Sequence, residues 1–331
     1  MTTHPVLADV RAAAERIRPY GHRTPVLTCT SLDAMVGARL FFKCENFQKV
    51  GAFKFRGATN AVFSLSEYDA SKGVATHSSG NHAAALSLAA RLRGITAHVV
   101  MPRTTKAVKQ AAVAGYGGRI VLCDPTLAAR EATLASVVAE TGATVVHPYN
   151  DSRVIAGQGT AALELLEDVR DLDIVMVPVG GGGLLSGTAI TVGSLSPKTC
   201  VVAAEPAAAD DAFRSLKEGR IVPSVDPRTV ADGLLTSLGT LTFAIIRERG
   251  AKIVTVSEEA TVTAMRHVWE RMKIVIEPSS AVPLGALLEG ALPAAGQRIG
   301  VILTGGNVDL DQLAWMTARS QGKGKKAEGR R

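Results

Sequence analysis

The sequence predicts an α/β fold built from two open parallel sheets. Short apolar runs alternate with alanine-rich stretches of helical length along most of the chain. This alternation is typical of parallel strands whose sheet is covered by helices on both faces. One apolar run leads directly into four consecutive glycines, residues 180–183, and then into an apolar helical stretch. With 331 residues, the chain is long enough for two domains but not for more.

The alternating segments fall into two series. The first predicts one compact domain, with strand and helix pairs at 73–76 and 83–93, 97–101 and 105–114, and 119–122 and 126–141, and a last strand at 144–147. The second begins after residue 149. It predicts a larger sheet, with strands at 174–179, 201–205, 253–256 and 301–304.

The four glycines at 180–183 predict a phosphate-binding loop. Their unhindered N–H groups precede a helix, where the helix dipole favours an anion. A tight turn is the alternative, but one or two glycines would satisfy it. The spacing does not fit G-x-G-x-x-G, although Glu205 could serve as a ribose-binding acid, and no lysine follows Gly187 as in a Walker A loop. The loop therefore favours a single phosphate on a cofactor that carries its own chemistry.

Lys54 is the candidate Schiff-base lysine because it stands between two phenylalanines, Phe53 and Phe55. An apolar setting makes a charged amine costly, so the pKa falls and the neutral amine becomes a nucleophile for a carbonyl. The alternative is a surface lysine whose stem lies along apolar neighbours. These residues alone leave both interpretations open.

A turn rich in hydroxyl and amide groups, residues 76–83, opens an alanine-rich helix and offers a second anion-binding N-terminus. Four motifs, GAFKFRGA, SSGNHA, PVGGGGLLSG and LTGGNVD, together resemble the serine/threonine dehydratase and serine racemase family of fold type II pyridoxal-phosphate (PLP) enzymes. The match runs in order from about residue 6 to residue 312. The stretches 156–160, 268–273 and 276–278 look most like the racemases of this family.

This resemblance implies a tryptophan synthase β-like fold with the cofactor in the cleft between two domains. Residues 1–66 and 151–320 would form a large PLP-binding domain, and residues 67–150 a small inserted domain. The basic segment 321–331 is expected to be a disordered tail. A homodimer is expected.

The resemblance also assigns cofactor contacts. Lys54 would form the Schiff base with PLP and later remove the substrate α-proton, while Phe53 would pack on the pyridine ring. Asn81 would bond the ring oxygen, and Gly233 and Glu277 would lie close to the ring. The backbone donors to the phosphate would be Gly181, Gly182, Gly183 and Leu184.

Thr304 lies where this family places a hydroxyl residue against the pyridine nitrogen. A hydroxyl, unlike a carboxylate, does not hold that nitrogen protonated, so the ring withdraws electrons less strongly, which favours elimination of a β-leaving group. The alternative is a strand-end residue with a local backbone bond.

The turn that opens the alanine-rich helix would bind the substrate carboxylate. The resemblance implies that Ser79 faces Lys54 across the substrate and exchanges a proton on the opposite face. A helix N-cap is its alternative role. The substrate-binding residues would be Ser78, Ser79, Gly80, Asn81 and His82.

The acidic segment 205–211 resembles the metal loop of the family. Glu205, the Ala209 carbonyl and Asp211 would bind Mg²⁺ or Ca²⁺ together with waters, because these hard cations prefer oxygen ligands. A solvated acidic turn is the alternative.

Composition argues against other classes of protein. The formal charge is +7, but the tail at 321–331 holds five basic residues and one acid, and aromatic residues make up only 4% of the chain, so a nucleic-acid partner is not expected. No membrane segment or signal peptide is recognisable. Four widely spaced cysteines predict buried thiols in a reducing, cytoplasmic setting. They are Cys29, Cys44, Cys123 and Cys200.

The predicted activity is PLP-dependent deamination of L-threonine or L-serine to 2-oxobutyrate or pyruvate and ammonia. A serine racemase with side elimination activity and a threo-3-hydroxyaspartate dehydratase are the alternatives, and a nucleotide- or nucleic-acid-binding protein is the outsider. Two residues depart from the racemase pattern. Ala52 replaces a serine near a nucleotide-effector site, which puts ATP activation in doubt, and Tyr149 replaces an asparagine, which favours a dehydratase.

Overall fold

A computed structural model describes residues 4–313 of the chain. The predicted tail at 321–331 lies outside the described residues, as do residues 1–3 and 314–320 of the predicted large domain. Within the described part, no helix is both long and apolar enough to cross a membrane.

The strands form two sheets. The larger has the order β1-β2-β10-β7-β8-β9, and the smaller has the order β5-β4-β3-β6. The strands are β1 Val26–Leu27, β2 Arg39–Cys44, β3 Val74–His77, β4 Ala97–Pro102, β5 Arg119–Cys123, β6 Thr144–Val145, β7 Ile174–Pro178, β8 Cys200–Pro206, β9 Lys252–Val256 and β10 Arg298–Leu303.

Helices connect these strands and cover the sheets. They are α1 Leu7–Ile17, α2 Thr30–Val36, α3 Lys54–Phe63, α4 Glu67–Ser71, α5 Asn81–Arg93, α6 Ala107–Gly115, α7 Leu127–Thr141, α8 Ser152–Asp168, α9 Gly183–Leu195, α10 Asp211–Glu218, α11 Thr240–Glu248, α12 Glu258–His267 and α13 Pro278–Leu288.

Parallel pairing dominates both sheets, which confirms the predicted fold class. β2 pairs in parallel with β10 although the two strands lie far apart in the chain. The larger sheet is thus built from residues 26–44 and 174–303, and the smaller from residues 74–145. β1 is the exception, since it pairs antiparallel with β2. Its connection to β2 is shorter than the dozen or more residues that a parallel crossover needs.

Two local predictions were wrong. The strand predicted at 144–147 ends at Val145, because the Nδ1 atom of His147 accepts hydrogen bonds from the backbone N–H groups of Tyr149 and Asn150 and so turns the chain. The cysteines are not all buried: Cys44 and Cys123 are, but Cys29 is half-buried and Cys200 is exposed. Cys200 opens β8 directly after a surface turn.

Helix α3 connects the two halves of the molecule. It packs against α5, which follows a strand of the smaller sheet, and against α8, which precedes the central strand β7 of the larger sheet. Its apolar residues Phe55, Ala58 and Val62 are fully buried in a cluster that includes residues of α5. Because α3 begins at Lys54, its packing sets where that lysine lies.

Candidate active site

The glycine loop follows β7 and leads into α9 at the carboxyl edge of the larger sheet. Gly182 is the N-cap residue of α9. Its φ of +87° lies in a region that residues with a side chain rarely adopt. A Cβ on Gly181 would lie 2.3 Å from the ring of Tyr149, so the chain needs glycine there as well. After Val179, the next backbone N–H with a backbone acceptor among the described residues is that of Ser186. The loop therefore offers unpaired N–H groups, as an anion site requires.

Lys54 is the first residue of α3, and its amine lies close to the segment that leaves the smaller sheet. Its Nζ donates a hydrogen bond to the carbonyl oxygen of Pro148 and lies 5.2 Å from the centre of the Phe53 ring. Burial lowers the pKa of Lys54 to about 8, and the charge of Glu277 opposes that shift. An amine with this pKa is partly neutral near pH 8, as nucleophilic and proton-accepting roles require.

Three histidines lie near Lys54 or near one another: the charge of Lys54 acts on His82 and His147, and the ring centre of His77 lies 6.0 Å from that of His147. Burial lowers the pKa of His82 to about 3 and that of His147 to about 4, and it lowers the pKa of His77 as well. The positive charge of Lys54 adds to the effect on His82 and His147. The imidazoles of His82 and His147 are therefore neutral at physiological pH, and burial favours the neutral form of His77 as well.

Asn81 and Glu277 meet across the cleft between the two sheets. The side-chain amide of Asn81 donates to both carboxylate oxygens of Glu277 at 3.0 and 3.1 Å. Asn307 donates in turn to the side-chain oxygen of Asn81 at 2.9 Å. Burial raises the pKa of Glu277 to about 7, although the Asn81 hydrogen bond opposes this. Asn307 lies in the LTGGNVD motif, but the sequence assigned it no role.

Thr304 follows β10 directly, and its hydroxyl lies 2.9 Å from that of Ser280 on α13. Ser280 also donates to the carbonyl oxygen of Gly305 and accepts from its N–H, both at 2.7 Å. Ser280 thus orients the Thr304 hydroxyl. Sequence reasoning gave Ser280 no role, because it is only one of two adjacent serines at the start of an apolar helix.

The substrate-binding residues predicted at 78–82 follow β3: residues 78–80 form a turn, and Asn81 and His82 are the first two residues of α5. Gly80, not Ser79, is the N-cap residue of α5, so the alternative role of Ser79 as a helix N-cap is wrong. The Ser78 hydroxyl accepts a long hydrogen bond of 3.4 Å from the N–H of Gly80. His82 is buried, and its Nδ1 has no hydrogen-bond partner among residues 4–313.

Gly233 lies beside the glycine loop. A Cβ on Gly180 would come within 3.4 Å of the Gly233 carbonyl oxygen, and the Gly233 N–H donates to the Ser279 hydroxyl at 3.1 Å. Leu184 is buried at the start of α9. Contacts such as Phe53 with Thr304, Asn81 with Glu277 and Glu277 with Lys54 therefore bring predicted cofactor contacts together from segments that lie far apart in the chain. The predicted cofactor contacts other than Lys54 are Phe53, Asn81, Gly181, Gly182, Gly183, Leu184, Gly233, Glu277 and Thr304.

Glu205 is the next-to-last residue of β8, just before the acidic loop, and is fully buried. Its two oxygens accept hydrogen bonds from the N–H groups of Ala212 and Phe213, each at 2.8 Å. Burial raises the pKa of Glu205 to about 8. Its carboxylate is thus fixed by the N-terminal turn of α10 while retaining lone pairs for a further partner.

Asp211 is buried at the start of α10, and neither of its oxygens has a hydrogen-bond partner of normal geometry in the described part of the chain. Burial raises its pKa to about 6, while the hydroxyl of nearby Ser224 opposes the shift. Ala209 is buried in the short turn before it. Among residues 4–313, no three His, Cys, Asp or Glu side chains group as metal ligands, so a metal here would need backbone carbonyls and water.

Comparison with known proteins identifies the family. The family model described as pyridoxal-phosphate dependent enzyme matches residues 17–305. The chain belongs to this family. The β-hydroxyaspartate dehydratase of Paracoccus denitrificans is 56% identical over 311 residues, covering 94% of this chain and 99% of that protein.

Solved structures support the same assignment for this PLP-dependent enzyme. The crystal structure of serine racemase from Dictyostelium discoideum matches with a TM-score of 0.89 and 50% identity, covering 92% of this chain and 99% of that one. The crystal structure of the T.th. threonine deaminase matches with a TM-score of 0.87 and 47% identity, with the same coverage of both chains. The predicted family and fold type II architecture are therefore confirmed.

Proposed function

We propose that this enzyme dehydrates β-hydroxyaspartate, giving oxaloacetate and ammonia after hydrolysis of the product. The proposal rests mainly on Arg130, a half-buried residue of α7 whose Nε donates a long hydrogen bond of 3.4 Å to the Thr126 carbonyl oxygen but which forms no ion pair with any described residue. Its positive charge lowers the pKa of His77 and opposes the rise in the pKa of Tyr149, so it acts on two rings that lie beside the cleft. The identity to a β-hydroxyaspartate dehydratase supports the same substrate.

A half-buried guanidinium without a carboxylate partner favours an anionic ligand. The second carboxylate of β-hydroxyaspartate would supply it, whereas the methyl group of threonine or the hydrogen of serine would leave Arg130 without a charged partner. Sequence reasoning missed Arg130 because it is one of three charged residues on a surface helix, and only the packing of α7 against the smaller sheet brings it near His77. L-Threonine and L-serine thus become the rival substrates.

The residues present fit PLP. The unpaired N–H groups of residues 181–184 would hold its phosphate, the Thr304 and Ser280 hydroxyls would face its ring nitrogen, and Asn81 and Glu277 would contact the ring. When bound, PLP supplies an aldehyde that joins the substrate amine and withdraws electrons from the α-carbon.

Protein side chains would accept the α-proton and bind the two carboxylates of the substrate. The Nζ atom of Lys54, with its lowered pKa, would accept the α-proton, and the Pro148 carbonyl holds it in place. The N–H and hydroxyl donors of residues 78–82 would bind the α-carboxylate. Arg130 would bind the β-carboxylate, so that two anchored carboxylates orient the α-carbon toward Lys54.

Mg²⁺ is proposed for the acidic loop, bound by Glu205, the Ala209 carbonyl, Asp211 and waters. Support comes from the two oxygens of Asp211, which are buried and have no hydrogen-bond partner of normal geometry among residues 4–313. The ion would hold β8 and α10 together, away from the reacting atoms.

The test compares β-hydroxyaspartate, L-threonine and L-serine as substrates of the wild type and of Arg130→Met. For β-hydroxyaspartate, kcat/KM should fall about 10- to 100-fold, which corresponds to the loss of about 1.5–3 kcal/mol from a charged hydrogen bond. Elimination from threonine and serine should change little. Arg119→Met is the matched control, because Arg119 is an exposed residue of β5 in the smaller sheet, on which α7 packs. A wild type that prefers threonine, with Arg130→Met affecting all substrates equally, would overturn the proposal.

Racemisation of serine is the second candidate, because the side chain of Ser79 is available to the cleft. Ser79 is half-buried, does not cap α5, and makes no hydrogen bond within the described residues. A hydroxyl placed opposite Lys54 could return a proton to the other face of the α-carbon. The measurement that decides is formation of D-serine from L-serine.

A further inference from the structure

The guanidinium of Arg56, two residues after Lys54, is buried between two carboxylates. Its Nε and Nη2 atoms donate to the two oxygens of Glu45 at 2.7 and 2.8 Å. Its Nη1 and Nη2 atoms donate to the two oxygens of Glu164 at 2.7 and 2.8 Å. Each carboxylate is therefore bound by a forked pair of hydrogen bonds, a geometry that fixes the planar guanidinium in position and orientation.

Lys43 completes the group. Its Nζ donates to Glu164 at 2.6 Å and to the carbonyl oxygen of Thr24 at 2.7 Å. The side chains of Lys43, Glu45 and Arg56 are at most 1% exposed, and that of Glu164 is 17% exposed. These four residues, which we call the Arg56 cluster, contain two cations and two carboxylates. Its charges balance, so the loss of one partner would leave an uncompensated buried charge.

The Arg56 cluster joins three elements next to the active site. Lys43 lies in β2 and Glu45 directly after it, Glu164 lies in α8, and Arg56 lies in the first turn of α3. β2 pairs with β10, the strand that ends just before Thr304. The cluster therefore ties the start of α3 to the strand edge that carries Thr304.

Helix α3 lacks the usual side-chain cap at its start. Its N-cap residue is Phe53, whose side chain has no acceptor atom, and the Phe53 N–H donates to the carbonyl oxygen of Thr304 at 2.9 Å. Residues two apart on a helix lie about 200° around its axis, so Lys54 and Arg56 project from nearly opposite sides. Lys54 reaches toward the cleft, and Arg56 reaches into the buried cluster.

We propose that Arg56 is a positioning residue for Lys54, because its buried cluster fixes the first turn of α3 relative to the cleft. Arg56 does not contact the Lys54 amine. It acts through the backbone of residues 54–56, and a displacement of about 1 Å there would cost about 100-fold in the reaction.

The first experiment measures the reactivity of Lys54 in full-length protein freed of PLP. Reductive methylation at a series of pH values, read by mass spectrometry of the peptide that contains Lys54, gives the pKa of its amine. We expect about 8 in the wild type. Arg56→Lys keeps the positive charge but loses the paired hydrogen bonds to each carboxylate. It should raise the pKa of Lys54 toward the 10.5 of an ordinary lysine, because a displaced amine is less buried.

Glu164→Gln provides a second route that leaves residue 56 unchanged and disturbs the cluster from its least buried side. It should shift the Lys54 profile in the same direction by a smaller amount. In the PLP-loaded enzymes, kcat should fall by up to about 100-fold while KM changes little, because the groups proposed to bind the substrate carboxylates, residues 78–82 and Arg130, lie outside the Arg56 cluster.

Arg93→Met is the matched control. Arg93 binds the other end of the same helix, through the carbonyl oxygens of Val62 and Leu65, and its loss should lower the unfolding temperature without moving the Lys54 profile. The proposal is overturned if Arg56→Lys and Glu164→Gln lower the unfolding temperature but leave both the Lys54 profile and kcat unchanged. It is also overturned if Arg93→Met shifts the profile equally.

This inference rests on Lys54 as the reactive amine of the proposed function. The labelling experiment uses no substrate, so a wrong substrate assignment would leave its result intact. Failure of the Arg130 test and failure of the Arg56 test are therefore distinguishable.

Discussion

The amine of Lys54 donates a hydrogen bond of 2.9 Å to the carbonyl oxygen of Pro148, ninety-four residues further along the chain. Pro148 belongs to the segment by which the chain leaves the smaller sheet and enters α8. A carbonyl oxygen accepts from a neutral amine as well as from a charged one. The contact therefore orients Lys54 without requiring it to be protonated, and burial alone can lower its pKa.

Replacement of Lys54 by alanine should abolish turnover, because both the amine that binds PLP and the base for the α-proton are lost. The purified wild type should be yellow, and borohydride should bleach it while attaching the cofactor to Lys54. Peptide mapping of the reduced protein gives the position. A label on any other lysine would refute the assignment.

The stability of the PLP-free protein should depend on Lys54 at alkaline pH. Because the folded pKa is about 8 and the ordinary value is 10.5, the unfolded chain binds more protons between these values. The free energy of unfolding should then rise with pH across this window, relative to Lys54→Met, by at most about 1.4 kcal/mol per pH unit. Urea unfolding of both proteins at pH 8, 9 and 10 measures the difference, and a constant difference would contradict the lowered pKa.

Removal of divalent metal should lower the unfolding temperature, because the unpartnered carboxylate of Asp211 would remain buried beside Glu205. Mg²⁺ should restore the temperature, and Asp211→Asn should make the protein insensitive to chelator. Asp210→Asn is the control, since Asp210 pairs with Arg214 at 2.7 Å instead. A wild type verified as metal-free that melts at the same temperature with and without Mg²⁺ would show that this buried acidic loop binds no metal.

Substitution of Ser79 by alanine should separate racemisation from elimination. Racemisation needs a proton donor opposite Lys54, whereas elimination from an L-substrate begins with Lys54 alone. D-Serine formation should disappear and elimination should persist. Because Gly80 is the N-cap residue, the substitution removes no helix cap, and cofactor absorbance in the same preparation verifies loading. Wild-type D-serine formation by a fully loaded variant would show that the proton comes from another group.

The motifs that could be predicted from sequence are those whose functional groups all come from neighbouring residues. The glycine loop was recognisable because a strand, four glycines and a helix are contiguous, and the structure has β7, the loop and α9 in that order. Lys54 was recognisable from its phenylalanine neighbours. Its alternative as a surface lysine remained open in the sequence, since burial depends on α3 packing against α5 and α8.

The fold class, the family motifs and the chemical groups available for catalysis follow from the chain alone, because strand and helix periodicity and turn chemistry are set within a few neighbouring residues. Which distant groups meet follows from the packing of the folded molecule. Asn81 reaches Glu277 across 196 positions, and Arg130 comes near His77 only when α7 packs on its sheet. Such contacts depend on how two whole sheets and their helices pack, and the chain order of one sequence does not encode that packing locally.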